Sequence, residues 1–93
     1  MFNTDFAPIA HSRAYGGDLY RFRFDNGLGA SVMSHVLSYG GEQGLWEIAV
    51  IKFDGDGWDL YYDTPITDNV IGYLEKDEVG EILERINALV WEK

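Results

Sequence analysis

The sequence contains no cysteine, and this absence excludes disulfide bonds, thiolate metal sites and cysteine nucleophiles together. It has only two prolines, and it has no apolar run approaching the ~18 residues that a membrane-spanning helix needs. Its first residues lack the basic and apolar segments of a secretory signal. We therefore expect a domain held together by packing alone, located in the cytoplasm and without contact with a membrane.

Basic residues are also scarce. Seven Lys and Arg stand against 16 Asp and Glu, which gives a net charge of −9. Because nucleic acid is normally bound through a basic patch, direct binding of nucleic acid is not expected. The same charge would attract the chain to a protein surface that itself holds nucleic acid, which is how an acidic decoy inhibitor would act.

The sequence contains enough apolar residues to form a hydrophobic core. Hydrophobic residues make up 46% and aromatic residues 15% of 93 residues, which fits one folded domain and excludes a disordered chain. Residues 1–17, with Pro8 and the pair Gly16-Gly17, show neither helical nor strand periodicity. They predict an irregular N-terminal arm, followed by a single domain over residues 18–93.

The first of two predicted β-hairpins turns at Asp25-Asn26-Gly27. A two-residue Asn-Gly turn would scatter the apolar side chains over both faces, whereas a three-residue loop with Gly27 in the left-handed region collects them on one face. The predicted pairs are Phe24–Leu28, Phe22–Ala30 and Tyr20–Val32. Arg21 and Arg23 then point to the opposite face.

The second hairpin turns within Asp54-Gly55-Asp56-Gly57. Its predicted cross-strand pairs Phe53–Trp58, Ile51–Leu60 and Ala49–Tyr62 form a coherent apolar face, which we assign to the core. The other face pairs Lys52 with Asp59 and carries an apolar stripe of Trp46, Ile48, Val50 and Tyr61. The glycine-rich residues 38–44 before this hairpin are interpreted as a plain loop, because no Gly-Lys-Ser/Thr sequence follows.

An exposed aromatic stripe of this kind is typical of a protein-binding surface, so Trp46, Ile48, Val50 and Tyr61 are the predicted partner-binding residues. Two alternatives stay open. The N-terminal arm, with Phe2, Phe6 and Ile9, would cover the stripe, or the register would differ. A second candidate surface is acidic and consists of Asp54, Asp56, Asp59 and Asp63.

The C-terminal third predicts helix. Residues 76–91 place apolar side chains at a 3.6-residue period, with Asp77 and Glu78 near the positive end of the helix dipole. The inward positions are Val79, Ile82, Leu83, Ile86, Leu89 and Val90. Residues 67–74 are interpreted as one or two helical turns, with a short strand as the competing interpretation. The predicted fold is α+β: a four-stranded antiparallel sheet of two hairpins, a short helical segment, and a C-terminal helix on one face.

No constellation of catalytic or metal-binding residues is present. His11 and His35 lie in no Ser/His/Asp or zinc-ligand pattern. The run that begins Asp54-Gly55-Asp56 resembles half of a calcium loop, but Trp58 occupies position five and Pro65 position twelve. We therefore predict no catalytic residue, no metal and no cofactor.

Several short segments together resemble a group of small uncharacterised proteins of bacteriophages and prophages. The resemblance spans residues 20–91 and lies in Asn26-Gly27, Gly29-Ala30-Ser31-Val32, Tyr39-Gly40, Gly44-Leu45-Trp46-Glu47-Ile48-Ala49-Val50, Tyr62-Asp63-Thr64-Pro65-Ile66-Thr67 and Val70-Ile71-Gly72-Tyr73-Leu74. The chain departs from the group at Glu75, where the final helix often opens with Ser or Thr. The resemblance implies a phage setting and lends no catalytic residue.

Together these features favour a small acidic accessory protein that acts without catalysis by binding a host protein, a phage protein or a second copy of itself. A host-directed inhibitor of the anti-defence or anti-CRISPR kind would fit the phage setting and the acidity. The alternatives are a minor virion or assembly protein, and a small-ligand or metal-binding domain at the hairpin between Asp54 and Asp63.

Overall fold

Turn chemistry shapes the first half of the chain. A computed structural model describes residues 2, 4–67 and 69–90. A hairpin near the N-terminus, which the sequence analysis did not predict, joins β1 (Ala10–Ala14) to β2 (Gly17–Arg23). Its two turn residues, Tyr15 and Gly16, both have positive φ, at 51° and 76°, which matches the turn type that fits the twist of a tight hairpin.

The segment predicted as an irregular arm therefore contains a strand, and that part of the prediction is wrong. Three of the five residues of β1 are exposed and the other two are half-buried, so this edge strand shows no alternation that the sequence could reveal.

The first of the two predicted hairpins has the three-residue loop that was expected. β3 (Leu28–Ser34) pairs with β2 so that Phe22 lies opposite Ala30 and Tyr20 opposite Val32. Gly27 has a φ of 88°, and the N–H of Phe24 donates to the carbonyl of Leu28 at 2.8 Å. The bulged register is confirmed, and it puts the apolar side chains of both strands on one face.

A long strand then carries three neighbours. β4 (Trp46–Asp54) pairs along one edge with β3, and along the other edge with β5 (Gly57–Leu60) and β6 (Ile71–Leu74). All pairings are antiparallel, and the order is β1-β2-β3-β4-β5 with β6 beside β4. Within the described residues the sheet has six strands and curls into a half-barrel. The predicted α+β class is confirmed, whereas the predicted number of four strands was too small.

The helical interpretation of residues 67–74 is wrong, and the competing interpretation of a short strand is confirmed for the second half, which is β6. Pairing with β4 places Leu74 opposite Trp46 and Ile71 opposite Ile48. These ladder hydrogen bonds decide the conformation of a short apolar run that has no clear period of its own. Asp68, within that segment, lies outside the described residues.

The C-terminal helix α1 (Lys76–Ala88) packs on one face of the half-barrel. The carboxylate of Glu78 accepts a hydrogen bond from the N–H of Glu75 at 3.0 Å, half of a capping box that fixes the helix start. The buried side chains are those of Val79, Ile82, Leu83 and Ile86. Leu89, just past the helix, packs against the core, whereas Val90 is 95% exposed, contrary to its predicted inward position.

Candidate functional site: the open face of the sheet

The side chains predicted to form an exposed binding stripe lie in the core. Trp46, Ile48 and Val50 are buried, and the half-buried Tyr61 packs against the same cluster. The face assignment was wrong because β3 and β4 pair with Val50 opposite Ala30. That register puts the apolar stripe on the face that α1 covers.

The N-terminal segment also covers this face, as one of the alternatives anticipated. The ring of Phe2 meets the ring of Trp46 edge-on at 4.9 Å, and Phe6 meets Phe24 in the same way at 4.9 Å. Phe2 is only 3% exposed, whereas Ile9 does not join the cover and is 57% exposed. The predicted stripe is therefore closed from solvent on this side.

No helix of the described residues lies on the opposite face of the sheet, which we call the open face. Side chains alternate along each strand, so the registers place Trp58 beside Phe53 and Leu60 beside Ile51 on this face. Arg21 and Arg23 of β2 point the same way. The open face is defined by Arg21, Arg23, Phe53, Trp58 and Leu60.

Small residues form the middle of the open face, and larger side chains lie across them. Gly29, Ser31 and Ala49 are buried although no helix lies above them, and Ile51 is fully buried. A Cβ atom on Gly29 would lie 2.6 Å from Cε2 of Phe53, which shows how closely that ring covers the strand. The relief of the open face is thus set by the larger side chains that lie across these small residues.

Both arginines stack on aromatic rings. Cζ of Arg21 lies 4.4 Å from the ring centroid of Trp58, and Cζ of Arg23 lies 4.5 Å from that of Phe53. Such contacts attract a cation to the ring face and also hold the planar guanidinium in one orientation. The face is therefore an ordered layer of two cations and two rings.

Neither guanidinium has an anionic partner within the part of the chain that the structure describes. The ion pairs in that part of the chain join Asp18 to His11 and Asp18 to Arg13. Nε of Arg21 is buried and makes no hydrogen bond to any described residue. A buried donor without a partner costs free energy, so this arrangement calls for an explanation beyond packing.

The predicted acidic surface is exposed. Asp54 and Asp56 lie at the turn between β4 and β5, Asp59 lies in β5, and Asp63 follows that strand. Asp59 is the cross-strand neighbour of Lys52 as predicted. The described side chains of Lys52 and Asp59 form no ion pair, and the Lys52 ammonium lies 5.2 Å from the ring centroid of Tyr61.

The two histidines have structural contacts. The buried His35 accepts a hydrogen bond at Nδ1 from the N–H of Leu37 at 3.1 Å. His11 stacks on Tyr20 with 4.3 Å between ring centroids, and its Nε2 lies 2.9 Å from Oδ1 of Asp18. The hydrogen bond with His11 lowers the pKa of Asp18, partial burial opposes this, and Arg13 adds to the lowering. Across the described residues, no three His, Asp or Glu side chains come together as a metal site would require.

A second exposed apolar region lies at one end of the sheet, in the loop after β3. Val36, Leu37 and Tyr39 are each more than half exposed, as is Tyr73 of β6. The loop backbone is fixed, because the carboxylate of the buried Glu47 accepts from the N–H of Tyr39 at 2.9 Å. A shallow cavity of about 200 Å³ opens there. The charged residue that lines this cavity is Glu42, so the region offers apolar contact beside a carboxylate and not beside a cation.

Sequence reasoning missed the open face as a site because it assigned Phe53 and Trp58 to the core. It did place Arg21 and Arg23 opposite the apolar side chains of β2. The signal that could have found the site is the pair Gly29 and Ser31 on the neighbouring strand, since small residues leave room for long side chains to lie across a sheet.

None of the described helices is both long and apolar enough to cross a membrane. Comparison with protein-family models, with curated proteins and with solved structures gives no match.

Proposed function

We propose that this chain is a non-enzymatic protein-binding module that contacts its partner through the open face. The observation that carries the proposal is that α1 covers one face of the sheet, while the other presents Trp58 and Leu60 at 37% and 50% exposure beside two arginines. Tryptophan and arginine are the residue types most enriched among the side chains that dominate protein interfaces.

The contacts between side chains within the open face support the same function. Binding costs free energy when side chains must be ordered, at about 0.5–1.5 kcal/mol for each flexible one. Because Arg21 and Arg23 are already stacked on Trp58 and Phe53, part of this cost is met in the free protein. A partner would meet a surface whose shape is set before contact.

We place this binding in a bacterial cell that carries a phage or prophage, on the strength of the sequence resemblance. The partner would be a host protein, a phage protein or a second copy of the chain, and a host-directed anti-defence or anti-CRISPR role is the form we propose. The net charge of −9 supports a partner with a basic surface near the interface, which the exposed Asp54, Asp56 and Asp59 would face.

Photo-crosslinking in the cell that naturally produces the protein tests the proposal. A photoreactive phenylalanine analogue at Leu60 should give one dominant cross-linked partner, whereas the same analogue at Leu37, in the other exposed apolar region, should not. The partner is then purified and its affinity measured. Trp58→Ala should weaken binding about tenfold or more, as expected for an interface anchor.

Leu37→Ser is the matched control, since it also removes one exposed apolar side chain. It should leave the affinity unchanged. Failure to cross-link any protein from position 60, or equal affinities of the Trp58→Ala variant and the unaltered protein, would contradict the proposal. A partner captured from position 37 alone would move the interface to the loop after β3.

A further inference from the structure

The open face has a chemical preference that its apolar side chains do not explain. We propose that Arg21 and Arg23 form a pair of carboxylate-binding groups, and that the partner presents a segment with acidic side chains next to apolar ones. This inference rests on the proposed function and specifies the class of partner segment.

The spacing of the two arginines suits such a segment. They are two residues apart on β2 and lie on the same face, so their Cα atoms are separated by roughly 7 Å along the strand. Acidic side chains that alternate with other residues in an extended peptide repeat at the same interval. The guanidinium groups reach from β2 to Trp58 of β5 and Phe53 of β4. A peptide that crosses the open face at these rings can therefore bring one carboxylate to each guanidinium.

Stacking prepares the guanidinium groups for this contact. A ring that covers the flat side of a guanidinium leaves the N–H groups at its edge, where a carboxylate can accept two parallel hydrogen bonds. Among the described residues, the edges of Arg21 and Arg23 make no hydrogen bond and no ion pair. Among the described side chains, Nε of Arg21 is the buried polar atom that has no hydrogen-bond partner. The site is therefore partly desolvated, and a charged hydrogen bond is stronger in such surroundings.

The charge distribution singles out this pair. The chain has 16 Asp and Glu and only seven Lys and Arg, so carboxylates that could form an ion pair outnumber the basic groups. Arg13 does pair with Asp18, at 3.1 Å. The acidic side chain on the same side of the sheet, Glu47, is buried and accepts from the N–H of Tyr39 instead. The two guanidinium groups are thus left available to a carboxylate from outside the chain.

A protein segment fits the open face better than nucleic acid does. Binding to nucleic acid depends on many neutralising contacts with phosphates, whereas the open face offers the two cations Arg21 and Arg23. Leu60, half exposed on the same face, offers nothing to a phosphate but packs well against an apolar side chain. The combination of two guanidinium groups, one indole and one leucine selects an acidic and apolar peptide.

Selection from a displayed library of random peptides of about 12 residues tests this inference without a known partner. Peptides are selected on the purified full-length protein and counter-selected on the Trp58→Ala variant, which removes basic peptides held only by the overall negative charge. We expect the surviving peptides to be enriched in Asp and Glu at alternate positions beside apolar residues.

Individual peptides are then measured by fluorescence anisotropy. Replacing their Glu by Gln should weaken binding about tenfold, and raising the salt concentration should weaken the Glu form more than the Gln form. Arg21→Gln and Arg23→Gln should each weaken the Glu form. Arg85→Gln, an equal loss of charge on the exposed side of α1, should not. Unchanged circular dichroism of the arginine variants shows that the fold is retained.

The outcomes separate the inference from the proposed function. Peptides that depend on Trp58 but show no preference for Glu over Gln would overturn the carboxylate pair and leave the binding module standing. The absence of any peptide that depends on Trp58 would overturn both. Tighter binding of single-stranded oligothymidylate than of the selected peptides, lost in Arg21→Gln, would overturn the acidic peptide in favour of nucleic acid.

Discussion

The side-chain amide of Asn26 donates a hydrogen bond to the backbone carbonyl of Ile86 at 2.8 Å, across 60 positions of the chain. A second hydrogen bond runs from the same Nδ2 atom to the carbonyl of Leu89 at 3.0 Å, while Oδ1 accepts from the N–H of Leu28. One side chain in the β2–β3 turn therefore caps the carbonyl end of α1. This contact joins the helix to the hairpin it covers, since helix carbonyls at that end otherwise lack partners.

Asn26→Asp should destabilise the protein at pH 7 by about 1–3 kcal/mol. The carboxylate can still accept from Leu28, but it no longer donates to Ile86 and it places negative charge at the negative end of the helix dipole. Urea unfolding measures the loss. Asn87→Asp adds the same charge at the exposed end of the same helix and should cost much less. Equal losses in the two variants would show that charge, and not the missing donor, is responsible.

Gly29→Ala should destabilise the fold by about 1–3 kcal/mol or more, because the added Cβ would lie 2.1 Å from the carbonyl oxygen of Phe22. That atom belongs to the backbone, so β2 itself would have to shift. Gly57→Ala is the matched control in the same sheet, since the nearest atom to its Cβ is 3.6 Å away. Thermal unfolding should separate the two variants clearly, and equal melting temperatures would contradict the close packing of β2 and β3.

The ion pairs of Asp18 predict a stability difference that depends on pH. The hydrogen bond with His11 holds the pKa of Asp18 below its ordinary value of 3.8 in the folded protein. The contribution of the Asp18 carboxylate to the free energy of unfolding is therefore complete above pH ~4. It is lost as the pH falls through the lowered pKa of Asp18 in the folded protein. The unaltered protein should be more stable than Asp18→Asn at pH 6, and the difference should shrink below pH ~4. Asp56→Asn, at an exposed turn, should show no such dependence in acid unfolding curves.

The parts of the fold that sequence reasoning predicted well are those that neighbouring residues decide. Asp25-Asn26-Gly27 specifies a bulged turn, so the β2–β3 register followed from local chemistry. The pairs Phe53–Trp58 and Ile51–Leu60 followed in the same way from the turn at Gly55, whereas β5 ends at Leu60, short of the predicted Ala49–Tyr62 pair. Within α1, the periodic side chains from Val79 to Ile86 are indeed buried.

The parts it missed depend on contacts between distant segments. Both faces of β4 are apolar, so alternation alone cannot tell whether Val50 or Ile51 faces the helix, and both side chains are in fact buried. The pairing of Ala30 with Val50 settles the question, and no single turn encodes it. Tyr73 illustrates the same limit, since its positive φ of 57° within β6 follows from pairing and not from preference.

The sequence pattern assigned Trp46 to a binding surface and Trp58 to the core, and substitutions at the two positions should show the reverse. Trp46→Ala removes a ring that packs edge-on against Phe2 in the core, so it should cost about 3–5 kcal/mol of unfolding free energy. Trp58→Ala removes a ring that is 37% exposed, so it should cost substantially less and should act on partner binding. Urea unfolding of both variants gives the first comparison, and peptide binding by the folded fraction gives the second. A more severe loss of stability in Trp58→Ala would mean that the face bearing Phe53 and Trp58 is the true core, and both the binding module and the carboxylate pair would then lose their surface.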